Sequence, residues 1–535
     1  MNYRYNCTGM HSSVDLLRHN RQEMTMVSVM MLSRCSAVVG SRSISTRSRR
    51  LLSPASPAVV VQPPLSVHSI PTQSQVAGNA GVVIRNVGCT RRIFLTNPHL
   101  STDEIEGLAY RMKMLTQSTA LNSVLIASTN DDDAATGAFP ASIMEFENFS
   151  SEDYDRLDGC VYLVSSGYDA LELYNSARHK DVAHVQRLLD ALGDLAIATR
   201  GDPTTTRIPV IMLPHGLVLD GGYALCMGGF VLATPDTCFR VLNPSKGLSF
   251  DPIGLSFILP RLGWEFKQLS AEYTGCGLLL ALTGMEANAS DMMETGLATH
   301  FVDNVDIVPT LERALGEIPP WEQQNLLPRP KTIYGSKDPL TDVNAMFRNK
   351  AVSNLIHAFS SYDAEGSESF LVEEEEIYFN NDPSVDFDET PLFVNRESDL
   401  VNYAATFDDI FRKEKSVAGI MERFREIGER RSSDPEEMEG ITVANDLFER
   451  MTRQSPLALR VIYSLMESGG SRGETLETCI EREKRAQFNL FQHADFENWA
   501  HAQANSVEDG QCFTGWMYKT AEDVPQDQVD EIIGR

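Results

Sequence analysis

A glycine turn after an apolar run is the first place in this 535-residue chain where chemistry could occur. The segment LPHGLVLDGGYAL, residues 213–225, contains Gly221 and Gly222 in succession. Backbone N–H groups at such a turn can point at a carbonyl oxygen that gains negative charge during acyl transfer. Each donor of this kind stabilises an oxyanion by about 3 to 4 kcal/mol. The alternative is that the glycines serve only to let a helix pack closely on a sheet.

Hydrolysis of an acyl group also needs an acid or a base near the reacting carbon. Downstream of the turn, Asp251 is a candidate base, and its alternative role is a turn or cap residue before a proline. Ser245 could be proposed as a nucleophile, which would need a histidine partner. We interpret His215 and His300 as structural, because neither has sequence evidence of pairing with Ser245.

Alternating strand and helix patterns surround these residues. GVVIRNV and RRIFLTN predict two strands, and LSTDEIEGLAYRMKML predicts a helix with Ser101 or Thr102 at its N-terminal cap. This alternation implies βαβ units and the α/β class. Further buried strands are predicted at 123–129, 160–164 and 210–213, with a helix at 181–198.

The order of these segments resembles the crotonase superfamily, and within it the 3-hydroxyisobutyryl-CoA hydrolases. That group typically contains HGxxMGGGxGL, FLPRL, ALTG, GLATHFV and SPxSLK. This chain has HGLVLDGGYAL, ILPRL, ALTG and GLATHFV, then SPLALRV at 455–461 and DFENWAHA at 495–502. The resemblance covers about residues 80–535. It implies a (ββα)n spiral core with a C-terminal helical region, an acyl-CoA thioester as substrate or ligand, and no metal or other cofactor.

The resemblance also implies where a thioester oxygen would be bound. Gly221, followed by Gly222, would supply one N–H donor, and Ala138 would supply the other, aligned through ATGAF with a family pattern close to CAGGD. Asp220 stands where the family has the first of three glycines, and an anion there would oppose charge on the oxygen.

The family's acids are replaced in this chain. The family segment PExxIGxFPDxG corresponds to NPSKGLSFDPIG, residues 243–254, in this chain. Ser245 occupies the position of the catalytic Glu that follows the proline. The family's FPD is FDP here, so Asp251 is shifted by one residue from the position of the family's Asp. Moving a carboxylate by one residue along an extended chain displaces it by about 3.3 to 3.8 Å. A misplacement of about 1 Å can cost roughly 100-fold in rate.

Two functional classes follow from the resemblance. One is a mitochondrial acyl-CoA thioester hydrolase of valine catabolism, and the other is a pseudoenzyme kept as a structural subunit. Some relatives of this hydrolase family are structural subunits of the mitochondrial ribosomal small subunit. Segments that are extra relative to the family, at about 142–182 and 364–400, could bind protein partners. The second contains EEEE and interleaved aromatic residues, which is also typical of a solvated, disordered loop.

The charge distribution predicts the organisation of the chain. Residues 1–102 hold eleven Arg, no Lys and two acidic residues, which gives a net charge of +9. Because the whole chain has a net charge of −28, residues 103–535 carry −37. An Arg- and Ser-rich start without acids from 24 to 102 indicates a mitochondrial targeting segment, here 1–50, or a disordered basic tail. We expect a linker at 51–79, the core at 80–330, a linker with the acidic insertion at 331–400 and a helical region at 401–535. The expected location is the mitochondrial matrix.

Composition excludes several other classes. The 42% of apolar residues suffices for a sizeable core, yet the chain has no run of 18 apolar residues that would predict a membrane span. Its acidic balance predicts no direct nucleic-acid surface. The nine Cys form no C-x-x-C motif, so we expect reduced, mostly buried residues.

Overall fold

The computed structural model describes residues 82–95, 99–127, 163–170, 173–174, 181–200, 208–262, 274–303, 307–321, 350–360, 399–471, 473–505 and 513–535. The predicted targeting segment, the linker at 51–79, Ala138 and nearly all of the acidic insertion lie outside these residues.

The first sheet begins with a hairpin and continues as a parallel sheet. Strands β1 (Val82–Val87) and β2 (Thr90–Leu95) are antiparallel, and β2 pairs in parallel with β3 (Ser123–Ala127). The sheet order is β1-β2-β3-β5-β7-β10, and its later strands are also parallel. These are β5 (Val210–Leu213), β7 (Phe230–Ala233) and β10 (His300–Phe301).

Two helices cover this sheet and pack against each other. Helix α1 (Thr102–Thr116) begins at Ser101, whose hydroxyl accepts from Glu104 N while the Glu104 side chain accepts from Ser101 N. This capping box confirms the helix start that the sequence predicts. Helix α2 (Val182–Arg200) confirms the second predicted helix.

A second, four-stranded sheet has the order β4-β6-β8-β9 and contains the start of the glycine turn. Its strands are β4 (Leu163–Ser165), β6 (Leu217–Leu219), β8 (Cys238–Arg240) and β9 (Ala287–Asn288). Strand β6 pairs in parallel with both β4 and β8. Because β4 lies within the predicted insertion at 142–182, residues 163–170 of that segment belong to the core instead of being an addition to it.

Helices dominate the remainder of the described chain. Helix α3 (Leu255–Ile258) and the following helices cover the core and form the C-terminal helical region. They are α4 (Thr274–Thr283), α5 (Ala289–Thr295), α6 (Val308–Glu317), α7 (Lys350–Phe359), α8 (Asp399–Thr406), α9 (Asp408–Lys413), α10 (Val417–Gly428), α11 (Pro435–Thr452), α12 (Pro456–Gly469), α13 (Leu476–Leu490), α14 (Ala494–Asn505) and α15 (Gln526–Ile533).

Two motifs from the C-terminal resemblance meet in space. Ser455, the N-terminal cap of α12 in SPLALRV, donates its hydroxyl to Asp495 Oδ2 of DFENWAHA at 2.6 Å. Ser455 N also donates to the Pro244 carbonyl at 3.0 Å, next to the site. The C-terminal region therefore packs directly on the segment that carries Ser245.

None of the described helices is long and apolar enough to cross a lipid bilayer. Four of the described cysteines, Cys226, Cys238, Cys276 and Cys479, are buried and free, and Cys89 is half-buried.

Candidate functional site

The glycine turn follows β6 directly and is buried throughout. Residues Asp220–Met227 form a 3₁₀ helix that begins at the end of that strand. A Cβ added to Gly222 would overlap the Ser165 carbonyl oxygen, so the close approach of the turn to β4 requires a glycine there. At Gly222, therefore, the glycine allows the turn to pack closely on β4, which is the packing role that the sequence also allows.

A second glycine lies against the turn. Gly167 has φ +85°, and a Cβ on it would lie 2.9 Å from the Gly221 carbonyl carbon. Gly167 belongs to SSGYD, residues 165–169, which matches the family pattern CAGGD at its glycine and its final acid. This segment is not among the residues predicted to form the site. The signal was available, because SSGYD directly follows the apolar run VYLV, as expected of a loop after a strand.

Asp251 is buried beside Gly221. Asp251 is only 1% exposed, and a Cβ added to Gly221 would lie 3.0 Å from Asp251 Oδ2. Oδ1 accepts from Tyr168 Oη at 2.8 Å and from Gln487 Nε2 at 3.0 Å, while Oδ2 accepts from Asn243 Nδ2 at 3.0 Å. The side chain thus joins a buried polar network, while the Asp251 carbonyl accepts from Ile253 N at 2.7 Å in the turn across the following proline.

Burial governs the protonation of this network. Burial, and after it the negative charge of Asp220, raise the pKa of Asp251 from 3.8 to about 6, while the hydrogen bond from Tyr168 opposes the rise. Burial and the nearby Asp251 charge raise the pKa of the Tyr168 phenol well above its usual value of 10.0. Tyr168 therefore remains a hydrogen-bond donor to Asp251 at neutral pH.

Asp220 is paired with a cation, although its negative charge still acts on the neighbouring Asp251. Its Oδ1 accepts from Leu242 N at 2.7 Å and from Asn243 N at 3.0 Å. Its Oδ2 lies 3.0 Å from Lys246 Nζ, so the charge is balanced. Asp220 adopts φ +40°, a left-handed conformation that Asp tolerates better than most residues.

Ser245 lies in the next 3₁₀ turn, Asn243–Lys246, and is buried. Its Oγ donates to the Leu242 carbonyl at 2.7 Å, so the hydroxyl proton stabilises the turn in which it lies. His215 Nδ1 lies 3.1 Å from Thr234 Oγ1, and His300 Nδ1 lies 2.9 Å from Thr299 Oγ1. These contacts support the structural interpretation of both histidines.

Helix α13 completes the site from the C-terminal region. Gln487, besides donating to Asp251, accepts from Ser249 N at 2.9 Å. Glu483 accepts from Gly254 N and Ser256 N, each at 2.6 Å, and burial raises its pKa from 4.5 to about 7. Neither Gln487 nor Glu483 is among the residues predicted to form the site. Their signal is that they share one face of α13 with buried Leu476, Ile480 and Leu490, where polar side chains are unusual.

The chain is similar to curated proteins of one kind. It is 35% identical to the mitochondrial 3-hydroxyisobutyryl-CoA hydrolase of Xenopus tropicalis over 21% of this chain and 26% of that protein. It is 26% identical to the human enzyme of the same name over 33% of this chain and 45% of that protein. The chain thus spans between about a quarter and under half of the length of these relatives.

Solved structures show the same fold. A carnitinyl-CoA dehydratase from Mycobacterium thermoresistibile aligns with a TM-score of 0.54 at 17% identity, over 85% of this chain and 96% of the other. An enoyl-CoA hydratase from Rhodobacter sphaeroides aligns with a TM-score of 0.51 at 16% identity, over 85% and 97%. These alignments confirm the predicted crotonase-like α/β fold with its helical C-terminal region.

The family model described as enoyl-CoA hydratase/isomerase matches residues 163–378 and 384–533, which is more than half of the chain. The match begins at β4, includes the glycine turn and Asp251, and extends through α13 to the last helix. This chain therefore belongs to the enoyl-CoA hydratase/isomerase family, with 3-hydroxyisobutyryl-CoA hydrolases among its relatives.

Proposed function

We propose that this chain is a mitochondrial 3-hydroxyisobutyryl-CoA hydrolase-like protein that keeps the thioester-binding fold but does not hydrolyse acyl-CoA efficiently. In this proposal it serves as a non-catalytic subunit of a large mitochondrial assembly. The mitoribosomal small subunit is the candidate, since the resemblance extends to structural subunits there. The Arg-rich, acid-poor segment 24–102 and the mitochondrial relatives support the location.

The enclosure of Asp251 carries the proposal. Hydrolysis requires a group that activates water close to the thioester carbon. Asp251, the carboxylate that lies against Gly221, is 1% exposed and accepts three hydrogen bonds from protein side chains. Water would have to displace part of this network before Asp251 could act as a base. The hydroxyl of Ser245 is occupied by its own turn, which leaves that position without a replacement for the family's Glu.

A second candidate function is hydrolysis with Asp251 as a relocated base. Two observations favour it: Oδ2 faces Gly221, and the pKa of Asp251 is raised to about 6, close to the pH at which a general base operates. Asp251 would then take a proton from water as the water attacks the thioester carbon. Gly221 N–H would stabilise the oxyanion, and the CoA thiolate would leave.

Two measurements on the full chain separate the candidates. Release of free thiol from 3-hydroxyisobutyryl-CoA reports turnover, and sedimentation of the native protein in a mitochondrial extract reports assembly. We expect no thiol release above the uncatalysed rate and co-sedimentation with a large particle. Rapid thiol release by a protein that sediments alone would establish the second candidate.

A further inference from the structure

Tyr168 has no counterpart in the family pattern that surrounds it. In SSGYD it occupies the position of the second glycine of CAGGD, so a phenol ring stands where the pattern has a hydrogen atom. The preceding Gly167 lies against Gly221, which fixes the Tyr168 backbone beside the glycine turn. A large aromatic side chain has thus been introduced at the edge of the proposed oxyanion site.

The ring is buried and held at both ends. Tyr168 is 8% exposed, and its ring packs edge-on against Phe491 with centroids 6.3 Å apart. Its Oη donates to Asp251 Oδ1 at 2.8 Å, while Oδ2 of the same carboxylate faces Gly221. The phenol therefore extends from the loop after β4 towards the carboxylate beside the glycine turn.

We propose that Tyr168 is an internal plug that fills the acyl end of the thioester site. This inference rests on the proposed function and names the residue that closes the site. The ring reaches from Gly167, which lies against Gly221, to Asp251, whose Oδ2 faces Gly221, and this is the region that we assign to the acyl group. The part of CoA beyond the sulfur does not require that space, so the plugged protein discriminates little between CoA and acyl-CoA.

The contacts of Tyr168 suit a permanent plug. A buried tyrosine commonly requires a partner for its hydroxyl, and Asp251 provides one. Swinging the ring outwards would break this hydrogen bond and leave a buried carboxylate with one donor fewer. Phe491, which follows the last residue of α13, adds an aromatic contact that would also be lost.

The test is calorimetric binding of two probes by the full-length protein. One probe is CoA, and the other is a hydrolysis-inert thioether analogue of isobutyryl-CoA with a methylene between sulfur and carbonyl. Tyr168→Gly restores the family pattern, Tyr168→Ala is a milder opening, and Tyr168→Phe keeps the ring but removes the hydroxyl. Tyr110→Ala is the matched control, since Tyr110 is 68% exposed on α1.

We expect wild type, Tyr168→Phe and Tyr110→Ala to bind the two probes with affinities within about twofold of each other. Tyr168→Gly or Tyr168→Ala should bind the acyl analogue about 10-fold or more tightly than wild type does, because a hydrophobic group gains a cavity. Of Tyr168→Gly and Tyr168→Ala, the binding assay uses a variant that still unfolds cooperatively on heating.

Three results would overturn the plug. The first is that wild type binds the acyl analogue about 10-fold more tightly than CoA. The second is that a folded Tyr168→Gly or Tyr168→Ala binds the acyl analogue with the affinity of wild type, and the third is that no variant binds either probe. The wild-type comparison decides the matter even if both opened variants fail to fold. Because the acyl probe cannot be hydrolysed, failure of the plug is distinct from failure of the proposed function, which thiol release by wild type would reveal.

Discussion

Lys246 Nζ lies 3.0 Å from Asp220 Oδ2, and this pair balances the charge at the start of the glycine turn. Asp220 is 2% exposed, so its carboxylate depends on Lys246 and on two backbone donors for stabilisation. The two residues come from successive 3₁₀ turns, which the pair ties together.

Removing the cation should destabilise the protein. We expect Lys246→Met to lower the free energy of unfolding by about 3 to 5 kcal/mol, as for other buried ion pairs that lose one partner. Urea unfolding at pH 7 measures this change. Lys413→Met is the matched control, because Lys413 pairs with Asp409 on an exposed helix surface where such pairs contribute little. Equal losses in the two variants would contradict the role assigned to Lys246.

Glu483 should make stability depend on pH in a defined direction. Its pKa is raised to about 7 in the folded protein from an ordinary 4.5, so the folded state binds more protons than the unfolded state between these values. Stability should therefore fall as pH rises from about 4.5 to about 7. Asp251 contributes in the same direction, because its pKa is raised from 3.8 to about 6.

The test compares stability at pH 5 and pH 8 for wild type and Glu483→Gln. The variant should lose less stability between these pH values, by on the order of 1 kcal/mol or more, because it removes the larger of the two titrations. Glu477→Gln, an exposed change on the same helix, should leave the pH dependence close to that of wild type. A Glu483→Gln profile parallel to wild type would show that Glu483 does not titrate in this range.

A buried ion pair also supports the first sheet. Arg92 on β2 is fully buried and pairs with Glu312 on α6, while its guanidinium lies 4.2 Å from the centroid of the Phe94 ring. We expect Glu312→Leu to cost about 3 to 5 kcal/mol in unfolding free energy, since it leaves the buried cation without its carboxylate.

The double variant Arg92→Met, Glu312→Leu provides the control for that prediction. Replacing both charges with apolar groups should recover much of the loss, because no uncompensated charge remains. Chemical denaturation of wild type, Arg92→Met, Glu312→Leu and the double variant gives the coupling energy between the two residues. Additive losses would show that the two side chains do not depend on each other.

Local features of the fold could be predicted from sequence. The strands at 82–87, 90–95 and 123–127 follow from short apolar runs, and the start of α1 follows from Ser101 and Glu104 at capping-box spacing. The resemblance then supplied the fold class and the position of Gly221. These signals depend on residues close together in the chain.

The network around Asp251 could not be predicted in the same way. Tyr168 is 83 residues away from Asp251 in sequence and Gln487 is 236 residues away, so no local pattern connects them. The resemblance implies Ala138 as the second donor, and Ala138 lies outside the described residues, while Gly167 of SSGYD lies against Gly221. Lys246 is 26 residues from Asp220, so no local pattern connects this pair either.

If this site does not hydrolyse thioesters, the rate of thiol release from 3-hydroxyisobutyryl-CoA will show it. The rate is measured for wild type and Asp251→Asn at pH 7, with both proteins shown to unfold cooperatively. We expect the uncatalysed rate for both proteins. Rapid release by wild type that falls by about 100-fold or more in Asp251→Asn would contradict it and identify Asp251 as the base.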